Sequence, residues 1–177
     1  MKSLARIIPC LICLILLESC SQSSNLGIFE KNGDVGNVKI PGSVIFDAVN
    51  KTYKVSASGK NMWADNDEFH YVWKKMSGDV SLTAEIQWIG QGINGHRKAC
   101  LIIRQNLDSQ SVYADVAVHG DGLTSLQYRE DFGDITHEVR SNLISPNKVR
   151  IEKEGDYISM STESNDGELK PSGGSFR

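Results

Sequence analysis

From Gly27 to Ser161 the sequence is a succession of short stretches in which apolar and polar residues alternate, separated by clusters of turn-forming residues. A period of two puts successive side chains on opposite faces of a strand, and no stretch keeps a helical period for three turns. Strands are expected near Gly27 to Glu30, Ser43 to Ala48, Thr52 to Ala57, Glu68 to Lys75, Asp79 to Ile89, Lys98 to Gln105, Val112 to His119, Leu123 to Arg129, Ile135 to Arg140, Lys148 to Lys153 and Tyr157 to Ser161. Asn32-Gly33-Asp34, Pro41-Gly42, Ser77-Gly78, His119-Gly120-Asp121-Gly122, Ser145-Pro146-Asn147 and Glu154-Gly155-Asp156 supply the reversals between them. So many short strands at this spacing predict an antiparallel β-sandwich.

The alternation is clearest from Gly59 to Ile89. Val80, Leu82, Ala84, Ile86 and Trp88 fall on one face, with Ser81, Thr83, Glu85 and Gln87 on the other. Before them Phe69, Tyr71 and Trp73 share a face, and Ser77-Gly78 permits a reversal, so the two stretches are expected to pair as a hairpin. Trp88 is expected in the core.

The first twenty residues have another character. Lys2 and Arg6 precede an apolar run from Ile7 to Leu17, broken only by Pro9 and too short for a membrane-spanning helix of about 20 residues. This is the build of a signal peptide over residues 1–19. Leu17-Glu18-Ser19-Cys20 resembles the lipobox of bacterial lipoproteins, which implies lipidation of Cys20 as the mature N-terminus, with plain cleavage near Ser19 as the competing reading. Residues 20–26 then form a polar linker and 27–177 the domain. The partner so implied is a membrane, reached through a lipid anchor, with the domain facing periplasm or exterior; without the anchor it is secreted.

A net charge of -3 with no basic stripe excludes an electrostatic nucleic-acid surface. Beyond the leader and Cys20, Cys100 is the single cysteine, set in the apolar run Ala99-Cys100-Leu101-Ile102-Ile103; it is expected as a small core residue whose thiol burial keeps protonated.

Gly33-Asp34-Val35-Gly36, Ser58 through Trp73, His96-Arg97-Lys98-Ala99, Ile103-Arg104 and His119 through Arg129 together resemble a family of secreted bacterial concanavalin A-like modules. Members occur alone or beside propeller domains labelled TolB-like or biopolymer-transport proteins. The resemblance covers nearly all of the chain after the leader and implies a jelly-roll fold. Such modules finish with further apolar strands, whereas this chain ends in the polar, glycine-rich stretch from Ser164 to Arg177. The expectation is therefore a sandwich lacking its final C-terminal strands.

Catalytic patterns are not in evidence. Glycosidases on such folds need two carboxylates flanking the scissile bond, and Glu85 has no acidic neighbour at position 83 or 87. There is no Gly-x-Ser-x-Gly elbow, and His70, His96, His119 and His137 show no metal-ligand spacing. No cofactor is expected, except that Asp65 and Asp67 in a tight loop are hard oxygen ligands suited to a structural calcium. Their alternative role is hydrogen bonding to the loop's own backbone.

Binding groups are better represented. Tyr113, Asp115 and His119 share one strand face, as do Gln127 and Arg129; Glu85, Gln87 and Arg104 stand on other expected strands. His96-Arg97-Lys98 puts three cationic or titratable groups at the mouth of a buried strand, where they suit a carboxylate or a sulfated or uronic sugar, and Trp63 on a loop suits stacking. Hydrogen-bonding groups beside an aromatic fit a sugar. The expected function is a non-catalytic cell-envelope module binding carbohydrate on one polar sheet face. The alternatives are a glycoside hydrolase-like enzyme with an unrecognised site, or a module binding another envelope protein.

Overall fold

The structure, a computed structural model, describes residues 25–177; the expected signal peptide and Cys20 lie outside the described residues. The described chain is all-β and antiparallel, with no helix. Two four-stranded sheets form its body. One has the order β11-β10-β9-β8, built from β8 (Lys98–Arg104), β9 (Tyr113–His119), β10 (Thr124–Arg129) and β11 (His137–Arg140). The other has the order β14-β13-β12-β7, built from β7 (Val80–Glu85), β12 (Lys148–Glu154), β13 (Tyr157–Glu163) and β14 (Leu169–Phe176).

The sheets face each other through one apolar core. Leu101, Ala114, Val116, Val118 and Leu126 enter it from the first sheet, and Val149, Ile151 and Met160 from the second. Registers agree with the alternation: Val149 stands opposite Ala84 and Ile151 opposite Leu82, all on the inner face. The outer face of the second sheet is wet, with Lys148 paired to Glu85 at 3.3 Å and Arg150 Nε donating to Thr83 Oγ1 at 2.8 Å.

The N-terminal half folds as three small ribbons. These are β1 (Lys31–Val35) with β6 (Phe69–Trp73), β2 (Ser43–Asp47) with β3 (Thr52–Ser56), and the hairpin of β4 (Met62–Trp63) with β5 (Asn66–Asp67). The β4–β5 hairpin lies on the face of the first sheet that points away from the core, where Lys98 Nζ donates to Met62 O at 3.0 Å. The stretch Gly27 to Glu30, expected as a strand, is a turn next to Leu26, which is buried.

Two expectations are corrected. The strands around Ser77-Gly78 do not form a hairpin: β6 pairs with β1, and β7 joins β12 in the other sheet. Lys74 to Asp79 is an exposed connection long enough to change sheets. The two strands also pack differently, with Tyr71 donating its hydroxyl to Ile102 O at 3.2 Å while Leu82 and Ala84 pack against the inter-sheet core. The C-terminal stretch, expected to lack strands, forms β14 at the sheet edge. Its glycines make an irregularity: Ser172 pairs with Met160 and Ser175 with Ser159, leaving Gly173 and Gly174 between them at φ 77° and 85°. Left-handed backbone of this kind favours glycine. Beyond it Phe176 stacks on Tyr128 at 3.8 Å between ring centroids, tying the edge strand to the first sheet.

The pairing of β1 with β6 is open to a direct check. Asn32 stands opposite Val72, so the double variant Asn32→Cys with Val72→Cys closes a disulfide on mild oxidation, the oxidant taking one hydrogen from each thiol and the mass falling by about two hydrogen atoms, because directly opposed residues have Cα atoms within bonding reach. Val72→Cys with Val80→Cys stays reduced.

Candidate functional site

The outward face of the first sheet is polar yet covered. Each strand contributes alternate residues to it: Lys98, Cys100, Ile102 and Arg104 from β8, Tyr113, Asp115, Ala117 and His119 from β9, and Ser125, Gln127 and Arg129 from β10. Glu138 and Arg140 of β11 continue the rows opposite Gln127 and Ser125. Buried polar groups must be paired to be tolerated, and this face divides into a sealed end and an open end.

At the sealed end Arg129, with no exposed surface, grips Asp67 in a fork, Nη2 to Oδ1 at 2.8 Å and Nη1 to Oδ2 at 3.0 Å. Its remaining donors reach Ala64 O at 2.8 Å, Ser111 O at 3.0 Å and Asp134 O at 2.8 Å. Arg104 adds a longer contact to Asp67 at 3.4 Å and sits over the rings of Phe69 and Tyr113. Tyr113 donates its hydroxyl to Thr136 Oγ1 at 2.9 Å, and burial pushes its phenol pKa upward. Three of the expected ligand-binding residues, Arg104, Tyr113 and Arg129, are thus engaged in holding the β4–β5 hairpin down. Of the two expected calcium ligands, Asp67 turns inward onto these guanidinium groups, while Asp65 is exposed at the turn. Among the described residues no three acidic, histidine or cysteine side chains gather as a metal cluster.

The hairpin turn itself is strained, with Ala64 at φ 59°. Arg129 and Thr136 both donate to Ala64 O, which holds this conformation and presents the half-exposed Trp63 at the other end of the face.

There a cleft of about 220 Å³ opens, lined by Asn61, Trp63, His96, Lys98, His119, Leu123, Gln127, Glu138 and Arg140. A hydrogen-bonded chain crosses its floor. Lys98 Nζ donates to Gln127 Oε1 at 2.9 Å, Gln127 Nε2 donates to Glu138 Oε1 at 3.0 Å, and Arg140 Nε donates to Glu138 Oε2 at 2.7 Å. Between Lys98 and Gln127 the register places Ala117, whose small side chain leaves the space that the chain spans. Burial opposes ionisation of Glu138, but hydrogen bonds from Arg140, Gln127 and Ser125 outweigh it and hold its pKa below the ordinary value.

His119 is neutral and oriented. Burial, aided by the nearby Lys98 charge, lowers its pKa. Its Nδ1 lies 2.9 Å from Leu123 O, and a carbonyl only accepts, so Nδ1 carries the proton and Nε2 is left as an acceptor. His96 packs edge-on against it at 5.9 Å.

Beneath this chain lies Asp115, fully buried, with no hydrogen-bond partner for either carboxyl oxygen. Burial pushes its pKa up to about 8, against the pull of the Lys98 ammonium, so near neutrality the group is largely protonated. Cys100 shares this buried space, and burial together with Asp115 lifts its thiol pKa well above the usual value. The thiol stays protonated, as expected, although it faces the polar side rather than the inter-sheet core.

Of the residues singled out from sequence, the cleft brings together Trp63, His96, His119 and Gln127. Arg97 does not line the cleft; its guanidinium lies 4.6 Å from the ring centre of Trp88, which is half-buried and outside the core cluster. Glu85 belongs to the outer face of the other sheet, and Gln87 follows it exposed, so neither joins the site. Lys98, read with His96 and Arg97 as a cationic group at a strand mouth, also lines the cleft, whereas sequence reasoning did not place Asn61, Leu123, Glu138 or Arg140 there. For Glu138 and Arg140 a signal existed: each continues an alternating face already assigned to polar neighbours.

No protein-family model, no curated protein and no solved structure matches the chain.

Two outcomes follow from the buried groups. Asp67→Ala leaves Arg129 as an uncompensated buried charge and lowers the unfolding free energy by about 3–5 kcal/mol, measurable by urea titration. Asp115 holds more protons folded than unfolded between its unfolded pKa of about 4 and its folded value of about 8, so its contribution to stability falls as pH rises through that window. Asp115→Asn removes that loss. Its melting temperature therefore exceeds the wild type's at pH 8.5 by at least ~3 °C more than at pH 4, since about 1 kcal/mol moves the midpoint of a chain this size by that much.

Proposed function

We propose that the protein is a non-catalytic module of the bacterial cell envelope that binds carbohydrate in the cleft beside Trp63. The observation that carries this is the combination, in one small recess, of a half-exposed indole with hydrogen-bonding groups whose orientations are already fixed. A sugar ring presents an apolar face for an aromatic to stack on and hydroxyls that both donate and accept. His119 Nε2 offers an acceptor and Asn61 an amide donor; Trp63 and Leu123 offer apolar surface. At about 220 Å³ the cleft is smaller than the ~300–1,000 Å³ typical of drug-sized ligands and suits a single sugar residue or chain end.

The same proposal includes a concanavalin A-like jelly roll, because the chain returns from β11 to lay β12 beside β7, a long return of the Greek-key kind. It also includes export and anchoring through Cys20, on the strength of the leader's pattern. Glu138 is the one carboxylate lining the cleft among the described residues, and glycosidases of this design work with two, so catalysis is left out of the proposal.

Affinity electrophoresis of the full chain through gels containing neutral and acidic polysaccharides tests the binding. Retardation by at least one polysaccharide, weakened about tenfold by Trp63→Ala as a stacking contact of about 1.4 kcal/mol requires, is the expected result. Absence of retardation on every gel, with a protein partner captured instead, would replace this function with protein recognition. Release of reducing ends, lost in Glu138→Gln, would replace it with hydrolysis.

A further inference from the structure

We propose that the sugar bound in this cleft carries a carboxylate, as a uronic acid does, and that the Lys98 ammonium is the group that receives it; this rests on the carbohydrate function above. Lys98 is half-buried and, among the described residues, has no carboxylate within ion-pair distance. Its contacts are two neutral oxygens, Met62 O at 3.0 Å and Gln127 Oε1 at 2.9 Å, and the face of Trp63 at 5.3 Å. An ammonium has three donors, so one N–H is left for a ligand.

The neighbouring acids do not neutralise it. Glu138 is bound by Arg140 on one oxygen and by Gln127 on the other. Asp121, in the adjoining turn, accepts from Leu123 N and forms no ion pair. Asp115 lies below with its proton retained at neutral pH. Among the charged residues that line the cleft, Lys98 and Arg140 therefore outnumber Glu138. A partly desolvated cation without a counter-charge is costly, and an anionic ligand relieves that cost where a neutral one does not.

The donor set suits a carboxylate. Asn61 Oδ1 accepts from Met62 N–H at 2.9 Å, which leaves its NH₂ as a second donor next to the residue whose carbonyl Lys98 contacts. An ammonium N–H and an amide NH₂, both from residues lining the cleft, match the two oxygens of a carboxylate. A sulfate ester, bulkier and with three oxygens to satisfy, would fill a recess that has little room beyond one ring.

The test compares oligomers of galacturonate, alginate and hyaluronan with the same oligomers after their carboxyl groups have been reduced to primary alcohols. Isothermal titration with the full chain should give at least tenfold tighter binding for one of the acidic oligomers than for its reduced form, with affinity falling as salt is raised. Lys98→Met, which keeps an unbranched stem against Trp63, should bring the two forms within about twofold of each other. If that variant fails to fold, as judged by its thermal transition, the wild-type comparison and its salt dependence still decide. Equal or tighter binding of the reduced oligomers, or of a sulfated neutral oligomer, overturns the carboxylate assignment while leaving carbohydrate binding intact. Failure of every saccharide, neutral or acidic, overturns both.

Discussion

The ion pair between Arg129 and Asp67 is the contact on which the candidate site depends. It joins the last residue of a central strand to a two-residue ribbon sixty-two positions earlier, and it does so with every guanidinium donor occupied. Removing two charges from water costs several kcal/mol each, and only near-complete hydrogen bonding recovers that cost. The arrangement meets the condition through backbone carbonyls from three separate segments, at Ala64, Ser111 and Asp134. An apolar plug of equal volume would stabilise the fold as well, but it would lack the directional bonds that fix the β4–β5 turn. That turn sets the position of Trp63, and Met62 O on the same ribbon holds Lys98. The sealed end therefore fixes the geometry of the open end.

This explains why the first sheet carries so many buried polar residues on its outward face. A sheet with one face in the core and the other in water reads as simple alternation and needs no further organisation. Here the outward face is capped along much of its length by the N-terminal ribbons, so each polar side chain must be satisfied inside the protein. Arg129, Gln127, Ser125 and His119 are. Asp115 is not, and its burial as a neutral acid lowers stability at high pH. The same neutrality leaves the Lys98 charge uncompensated in the cleft above it. A group unfavourable to stability and a polarised cleft are thus two consequences of one placement.

Much of the strand content was legible in the sequence, because a period of two survives wherever one face is dry. Val116, Leu126, Val149 and Ile151 fall in the core where alternation places them. Partners were less legible. Alternation tells which residues share a face but not which strand lies alongside, and the aromatics of β6, read as partners of β7 across Ser77-Gly78, lie against β1 instead. The tail from Leu169 to Phe176 was opaque for another reason: Gly173 and Gly174 break the period at the point where the edge strand bulges, and nothing local distinguishes that from a loop. The site was half visible. Trp63, His119 and Gln127 stood out by residue type and face, whereas Glu138 and Arg140 acquire their place only from the β10–β11 register. Conversely, Arg129 and Arg104 have the side chains expected of ligand contacts, and their commitment to Asp67 depends on a non-local pairing that no spacing encodes.

The hydrogen-bonded chain from Lys98 through Gln127 and Glu138 to Arg140 bears on how selective such a cleft can be. Gln127 can accept from an ammonium only with its Oε1, so its Nε2 necessarily faces Glu138, and the amide's orientation is set by the two charges it separates. A ligand entering the cleft meets donors and acceptors that cannot reverse without breaking a charge-assisted bond at one end. Selectivity then comes from mismatch: a ligand whose groups oppose this polarity leaves a buried charge or amide unpaired, at a cost of about 1–3 kcal/mol or more. Flexible surface side chains would exact no such cost. In the proposed binding function, the rigidity imposed at the sealed end by Arg129 is what lets the open end discriminate among ligands.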